Sequence, residues 1–125
     1  MALRCDQVLT SHGAPAAAAR LPMQLSCRVS ESHAEVALRG ELDLASADLV
    51  VGYVSDIIDR YDGLVVADLH EIAFCDACGL GALVRIVGYA ERAGRPLELA
   101  RPSRSVSKIM RITGVEDRLL APSRA

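Results

Sequence analysis

Apolar and polar residues alternate in two stretches of the N-terminal half of the chain. Residues 23–29 and 34–38 place apolar side chains at every second position, which is typical of half-buried strands. The polar residues 30–32 between them predict a turn, so the two strands are expected to form an antiparallel hairpin. We expect Gly-Glu-Leu-Asp at positions 40–43 to break the second strand.

Helical periodicity follows the hairpin. Between Leu49 and Tyr61, apolar residues recur at helical spacing, and Gly63 is expected to end this helix. Residues 64–69 are apolar on both faces except at Asp68, which predicts a central strand covered on both sides.

The C-terminal half repeats this alternation of helix and strand. A second apolar stripe ends at Gly94, a short strand is expected at residues 97–100, and a third helix is expected from a Ser103 cap to Gly114. The stripe comprises Leu80, Leu83, Val84, Val87 and Ala90. The pair Leu119-Leu120 predicts either an edge strand or packing against the core.

The predicted order is β-β-α-β-α-β-α, a small single α/β domain with a mixed sheet and about three helices. Strands joined through helices should be parallel, because such crossovers are right-handed and return to the same sheet. We expect this domain to span residues 23–120, after a flexible N-terminal tail at 1–22 and before a C-terminal tail at 121–125.

Composition narrows the class of protein. The chain has 125 residues, 51% of them hydrophobic but only 3% aromatic, so the core should be aliphatic. The net charge is −2 and no Lys or Arg run suggests a nucleic-acid partner. No apolar stretch approaches the ~20 residues of a membrane span. Four cysteines are too few for a disulfide-stapled domain, which favours a reducing, cytoplasmic setting.

The turn at residues 75–81 carries the candidate chemistry. It places Cys75, Asp76 and Cys78 between an apolar strand and an amphipathic helix. Unpaired N–H groups and the positive end of the helix dipole favour a thiolate, carboxylate or phosphate there. Asp76 is expected to cap the helix by accepting a hydrogen bond from the N–H of Cys78 or Gly79.

Several segments resemble the STAS domain of bacterial anti-sigma factor antagonists, in the same order along the chain. They are Gly-Glu-Leu-Asp at 40–43, Asp-Leu at 68–69, Phe-Cys-Asp-Ala-Cys-Gly-Leu-Gly at 74–81, and residues 105–115 with their Thr-Gly-Val ending. The resemblance implies a binding module rather than an enzyme, with no cofactor. Its partner would be an anti-sigma factor of the histidine-kinase-like ATPase type, whose sigma factor is released on binding. In that family, phosphorylation by the same kinase ends the interaction.

The chain departs from the family at the phosphoacceptor serine. Cys78 stands at that position and Ala77 precedes it, so the turn offers no hydroxyl to a serine kinase. The resemblance implies a partner surface around this turn and the following helix, with Arg92 continuing the line of exposed side chains. Alternatively, the loop at 41–43 makes no contact with a partner, and Asp43 or Ser46 only caps the first helix. The implied partner-binding residues are Asp76, Ala77, Gly79, Leu80, Glu41, Asp43, Arg85 and Tyr89.

Other interpretations of the two cysteines remain open. Oxidation of Cys78, or a Cys75–Cys78 disulfide, would add bulk where the family adds phosphate, although the Asp76 carboxylate opposes thiolate formation. In the alternative interpretation, neither thiol is chemically reactive and Cys78 only replaces the serine. A thioredoxin-like oxidoreductase is disfavoured by the element order, a zinc site by having only two ligands, and a nucleotide site by the missing phosphate loop. Homodimerisation is left open.

Overall fold

Nine elements build the described part of the chain, which in this computed structural model comprises residues 9–10 and 22–120. After an initial run of three strands, helices and strands alternate as far as α3, which is followed directly by a short fourth helix. In chain order they are β1 (Leu9–Thr10), β2 (Gln24–Val29), β3 (His33–Leu42), α1 (Leu44–Arg60), β4 (Leu64–Cys75), α2 (Ala77–Ala93), β5 (Leu97–Ala100), α3 (Arg104–Thr113) and α4 (Glu116–Leu120).

The strands form one mixed sheet in the order β1-β2-β3-β4-β5. The first two pairings are antiparallel, and the pairings of β4 with β3 and with β5 are parallel. The predicted hairpin and the parallel crossovers are therefore confirmed. The carboxyl ends of β3 and β4 meet at one edge of the sheet, with Leu42 opposite Cys75.

The core lies on one face of the sheet, where α1 and α2 pack against it and against each other. The prediction that the central strand is covered on both sides was wrong. In β4, Val65, Ala67 and Leu69 are fully buried, whereas Leu64 and Val66 on the other face are only half-buried. The burial of β4 therefore alternates between its two faces as far as Leu69.

Both central strands are longer than the sequence predicts. β3 continues through Gly40 instead of breaking there, with two register shifts against β4. Gly40 has φ +118°, and a Cβ at this position would lie 2.2 Å from the Pro22 carbonyl oxygen. Only glycine fits this conformation, so Gly40 bends β3 without ending it. β4 likewise runs past its predicted end at residue 69 to Cys75.

The helices begin and end at the predicted capping residues with one exception. Ser103 caps α3, and Gly94 and Gly114 end α2 and α3 in the left-handed conformation, as predicted. The prediction that Gly63 ends α1 was wrong, because α1 stops at Arg60 and Tyr61 is already extended. Of the two alternatives for the C-terminal leucines, packing is correct: Leu119 is buried within α4.

The predicted tails fall largely outside the described residues. Within residues 1–22, only β1 and Pro22 are described, and residues 121–125 are not described at all. The helices at positions 22–120 include none with the length and apolar content needed to cross a membrane.

Candidate functional site

The turn between β4 and α2 is a capped helix start. Asp76 follows the last residue of β4, and its Oδ1 accepts a hydrogen bond from the Gly79 N–H at 2.8 Å. This confirms the predicted cap and identifies Gly79 as the donor. Ala77 and Cys78 occupy the first turn of α2, and both are exposed. The thiol of Cys78 therefore faces solvent at the positive end of the helix dipole.

Gly79 fixes this helix start against the end of β3. A Cβ built on Gly79 would lie 2.2 Å from the carbonyl oxygen of Leu42 and 2.9 Å from its Cγ. The N–H of Asp76 also approaches that oxygen, at 3.4 Å. Glycine is required here because the backbones approach too closely for any side chain.

The loop after β3 lies beside the turn, because β3 and β4 end together. Glu41 pairs with Phe74 in the register, and Glu41 is half-buried. Asp43 is 7% exposed and caps α1, accepting from the N–H groups of Ala45 and Ser46. Ser46 completes the capping box with its own hydroxyl, which also donates to the Glu41 carbonyl at 2.9 Å. Asp43 thus holds the loop in shape, while Glu41 remains accessible in part.

The two thiols of the turn have different environments. Cys75 is 7% exposed, and burial together with the neighbouring Asp76 carboxylate raises the pKa of its thiol to about 12. Its Sγ lies 3.6 Å from the Asp76 carbonyl oxygen. Cys78 is exposed, and both cysteines are free thiols. Because the thiolate is the reactive form, Cys75 is a poor nucleophile at neutral pH. A redox pair of the two stays a prediction.

The predicted surface of α2 is tied to α1 by polar contacts. Arg85 donates to Asp48 at 3.0 Å, and the Tyr89 hydroxyl donates to Asp59 at 2.5 Å. The hydrogen bond to Asp59, and then burial, raise the pKa of Tyr89. Leu80, which the resemblance placed on the partner surface, is 5% exposed and belongs to the core. Its role is to hold α2 on the sheet.

Two exposed apolar side chains near the turn were missed by sequence reasoning. Val84, assigned to the buried stripe of α2, is 42% exposed. Leu44 follows the Asp43 cap and is 76% exposed. An apolar residue in a first helical turn normally indicates the core, so only the docking of the helix reveals its exposure.

No group of three or more His, Cys, Asp or Glu side chains within the described ranges is arranged to hold a metal ion.

Solved structures resemble this chain over most of its length. The anti-sigma factor antagonist SpoIIAA in its unphosphorylated form is 25% identical, with a TM-score of 0.57, and the match covers 74% of this chain and 81% of that one. The Bacillus cell fate determinant SpoIIAA in its phosphorylated form is 23% identical, with a TM-score of 0.55 and 78% and 87% coverage. An anti-sigma factor antagonist from Mycobacterium paratuberculosis has a TM-score of 0.64 at 16% identity, covering 87% of both chains.

Among curated proteins, no sequence matches this chain significantly. A family model described as "Mlab, STAS domain" matches residues 25–121, which include every helix and nearly every strand named above. The order of strands and helices agrees with that match. The chain therefore belongs to the STAS domain family.

Proposed function

We propose that this protein is an anti-sigma factor antagonist, acting in the cytoplasm by binding an anti-sigma factor so that a sigma factor is released. The observation that carries the proposal is the capped turn after β4, with Ala77 and Cys78 exposed. It occurs in a chain 25% identical to a solved antagonist, in a match that covers 81% of that antagonist. The partner is proposed to be of the histidine-kinase-like ATPase type. The protein acts by binding, without catalysis of its own.

The binding surface is centred on Cys78 and the first turn of α2. Ala77 and Cys78 are exposed there, and Glu41 flanks them on the neighbouring strand. Arg85 and Tyr89 continue the surface along α2, each steadied by an acidic residue of α1. A rigid, preorganised surface of this kind loses little conformational entropy on binding.

The regulation of this surface is proposed to differ from phosphorylation of a serine. Cys78 stands where the resembling family has its phosphoacceptor, and a thiol is not an acceptor for a serine kinase. The antagonist then stays bound unless Cys78 is modified chemically. Since Cys78 is exposed and Cys75 is buried with a pKa of about 12, any oxidative regulation would act on Cys78.

Charge at position 78 tests the surface directly. Cys78→Asp adds a negative charge, whereas Cys78→Asn adds a side chain of nearly the same shape as aspartate but without the charge. A carboxylate near a helix N-terminus stabilises the helix, so Cys78→Asp should not unfold the protein. We expect Cys78→Ser and Cys78→Asn to bind the anti-sigma factor like the parent. Cys78→Asp should bind about tenfold more weakly or worse, because an unpaired charge is desolvated at the interface.

Calorimetry with the purified anti-sigma factors of the same cell supplies the measurement. Equal affinity of the Asp and Asn variants would show that position 78 is outside the interface. The comparison of reduced with peroxide-treated protein tests the redox alternative. Loss of binding on oxidation that is absent in Cys78→Ser would assign a thiol switch, and unchanged binding would assign a constitutive antagonist.

A further inference from the structure

Three cations line one exposed face of α3. Arg104, Lys108 and Arg111 are spaced by four and three residues, so their side chains follow one another along the same side of the helix. All three are exposed. None of them has an ion pair with any of the residues 22–120, whereas other cations of the domain do, such as Arg118 with Glu91 at 2.8 Å.

This row of cations does not stabilise the fold. Arg104 is the first residue of α3, where the helix dipole disfavours positive charge, and the first turn contains no acidic residue to offset it. Lys108 is a like-charge neighbour of both arginines, which destabilises a helix further. Only Arg111, in the last turn, is favourably placed with respect to the dipole. The arrangement is better explained by a partner than by folding.

An apolar cleft adjoins the row. Phe74 is 47% exposed and Ile112 is 70% exposed, and together with the partly buried Ile109 they line a cleft of about 240 Å³. Lys108 stands at its rim, and Cys75 forms part of its wall. Phe74 and Ile112 are exposed on the same cleft rather than scattered singly, and a contiguous apolar patch of this kind indicates an interaction site.

We propose that this α3 surface, formed by Arg104, Lys108, Arg111, Phe74 and Ile112, binds an acidic polypeptide segment of a partner protein. One apolar side chain of the segment fills the cleft, and its carboxylates pair with the three cations. Charge complementarity identifies the segment as acidic, and the concave cleft favours a single side chain over a flat lipid surface.

The α3 surface shares no residue with the proposed contact at Cys78. It neighbours the turn through Cys75, and its Phe74 pairs in the register with Glu41 of that contact. Because Cys78 and the cations of α3 lie on different helices, each site can be altered without substituting a residue of the other.

The probe is a short fluorescein-labelled peptide of Glu and Asp residues with one central Leu, titrated with the full chain and followed by anisotropy. The expected result is saturable binding that weakens with added salt, with amide NMR shifts confined to α3 and the end of β4. Lys108→Glu and Ile112→Ser should each weaken binding about tenfold. The matched control is Arg28→Glu, since Arg28 is also exposed and has no ion pair among the described residues.

Several results would overturn the proposal. They are equal weakening by Arg28→Glu, unchanged affinity for a peptide with Ser in place of the Leu, amide shifts centred outside α3 and the end of β4, or binding only to vesicles of phosphatidylglycerol and phosphatidylcholine. Self-association of the chain through α3, abolished by Lys108→Glu, would overturn it equally. Thermal melts by circular dichroism ensure that each variant is folded. Cys78→Asp should keep its peptide binding, so failure at α3 and failure at the anti-sigma contact are distinguishable.

Discussion

Replacing Gly79 by alanine puts a methyl group against the end of β3. The new Cβ would lie 2.2 Å from the Leu42 carbonyl oxygen and 2.8 Å from its carbonyl carbon. Both atoms belong to the backbone of a central strand, so neither can rotate away as a flexible side chain would. The start of α2 must instead shift away from β3, which weakens the cap that Asp76 provides.

The magnitude follows from two opposing effects. Overpacking of this kind costs about 1–3 kcal/mol, while alanine is intrinsically better than glycine in a helix by about 1 kcal/mol. We expect Gly79→Ala to lower the free energy of unfolding by about 0–2 kcal/mol in total. Gly81→Ala is the matched control on the same helix, because its Cβ would have no atom within 4 Å. That variant should be more stable than the parent by about 0.5–1 kcal/mol.

Urea denaturation followed by circular dichroism at 222 nm measures both variants, with the slope of the transition expected to stay unchanged. The decisive quantity is the difference between the two alanine variants, expected to equal the overpacking cost of about 1–3 kcal/mol because the helix preference of alanine is common to both. If Gly79→Ala is as stable as Gly81→Ala, then α2 does not approach Leu42 as closely as described. Glycine would then not be required at position 79.

Three further predictions concern the same region and the open face of the sheet. Asp76→Ala removes the capping oxygen and should lower the free energy of unfolding by about 1 kcal/mol, whereas Asp76→Asn keeps an acceptor and should cost much less. Urea denaturation measures both variants, and equal losses would exclude a capping role. Iodoacetamide should modify Cys78 of the native protein well before Cys75, because burial and the Asp76 carboxylate raise the pKa of Cys75 to about 12. Mass spectrometry of peptides measures the two alkylation rates, and similar rates would contradict this prediction. Burial alone would raise the pKa of Asp68, but hydrogen bonds from its arginine partner and from a backbone N–H hold that pKa below its usual value. The stabilisation by Asp68 is therefore present above the unfolded pKa of about 3.9 and is lost as the pH falls through the folded pKa. Asp68→Asn should cost stability at pH 7 and less at pH 3, and a pH-independent cost would refute the ion pair.

Strands and helices with an unbroken apolar pattern were predictable from the sequence. The hairpin of β2 and β3 and the helix ends at Gly94 and Gly114 follow from local rules that the fold does not override. β3 was cut short in the prediction because Gly40 interrupts the alternation, and a glycine in a bulge has the same sequence signal as a glycine in a turn. Only the close approach of the Pro22 carbonyl distinguishes the two.

The place of the candidate site in the chain was predictable from the sequence, but the solvent exposure of its side chains was less so. Asp76 as the cap follows directly from its place before an amphipathic helix, and the structure has it there. Whether Leu80 or Val84 faces solvent depends on how α2 rotates on the sheet, which the periodicity of a helix with few polar residues leaves undefined. The cations of α3 were visible at helical spacing, yet a charged helix face is usually only solvated. Their lack of acidic partners within residues 22–120 becomes apparent only in the folded molecule.

The hydrogen bonds between α3 and the second half of β4 have a consequence for solubility. β5 is short and pairs with β4 only as far as Asp68, so beyond that point the strand would present unpaired backbone groups on this side. α3 covers them instead: the Ser103 N–H donates to the Leu69 carbonyl at 3.2 Å, and the Ser105 hydroxyl donates to the Ala73 carbonyl at 2.9 Å. A chain truncated after Ala100 would expose a bare strand edge, to which the strand of another molecule can add. The third helix therefore protects this strand edge from pairing with another molecule, and its removal should lower the solubility of the protein.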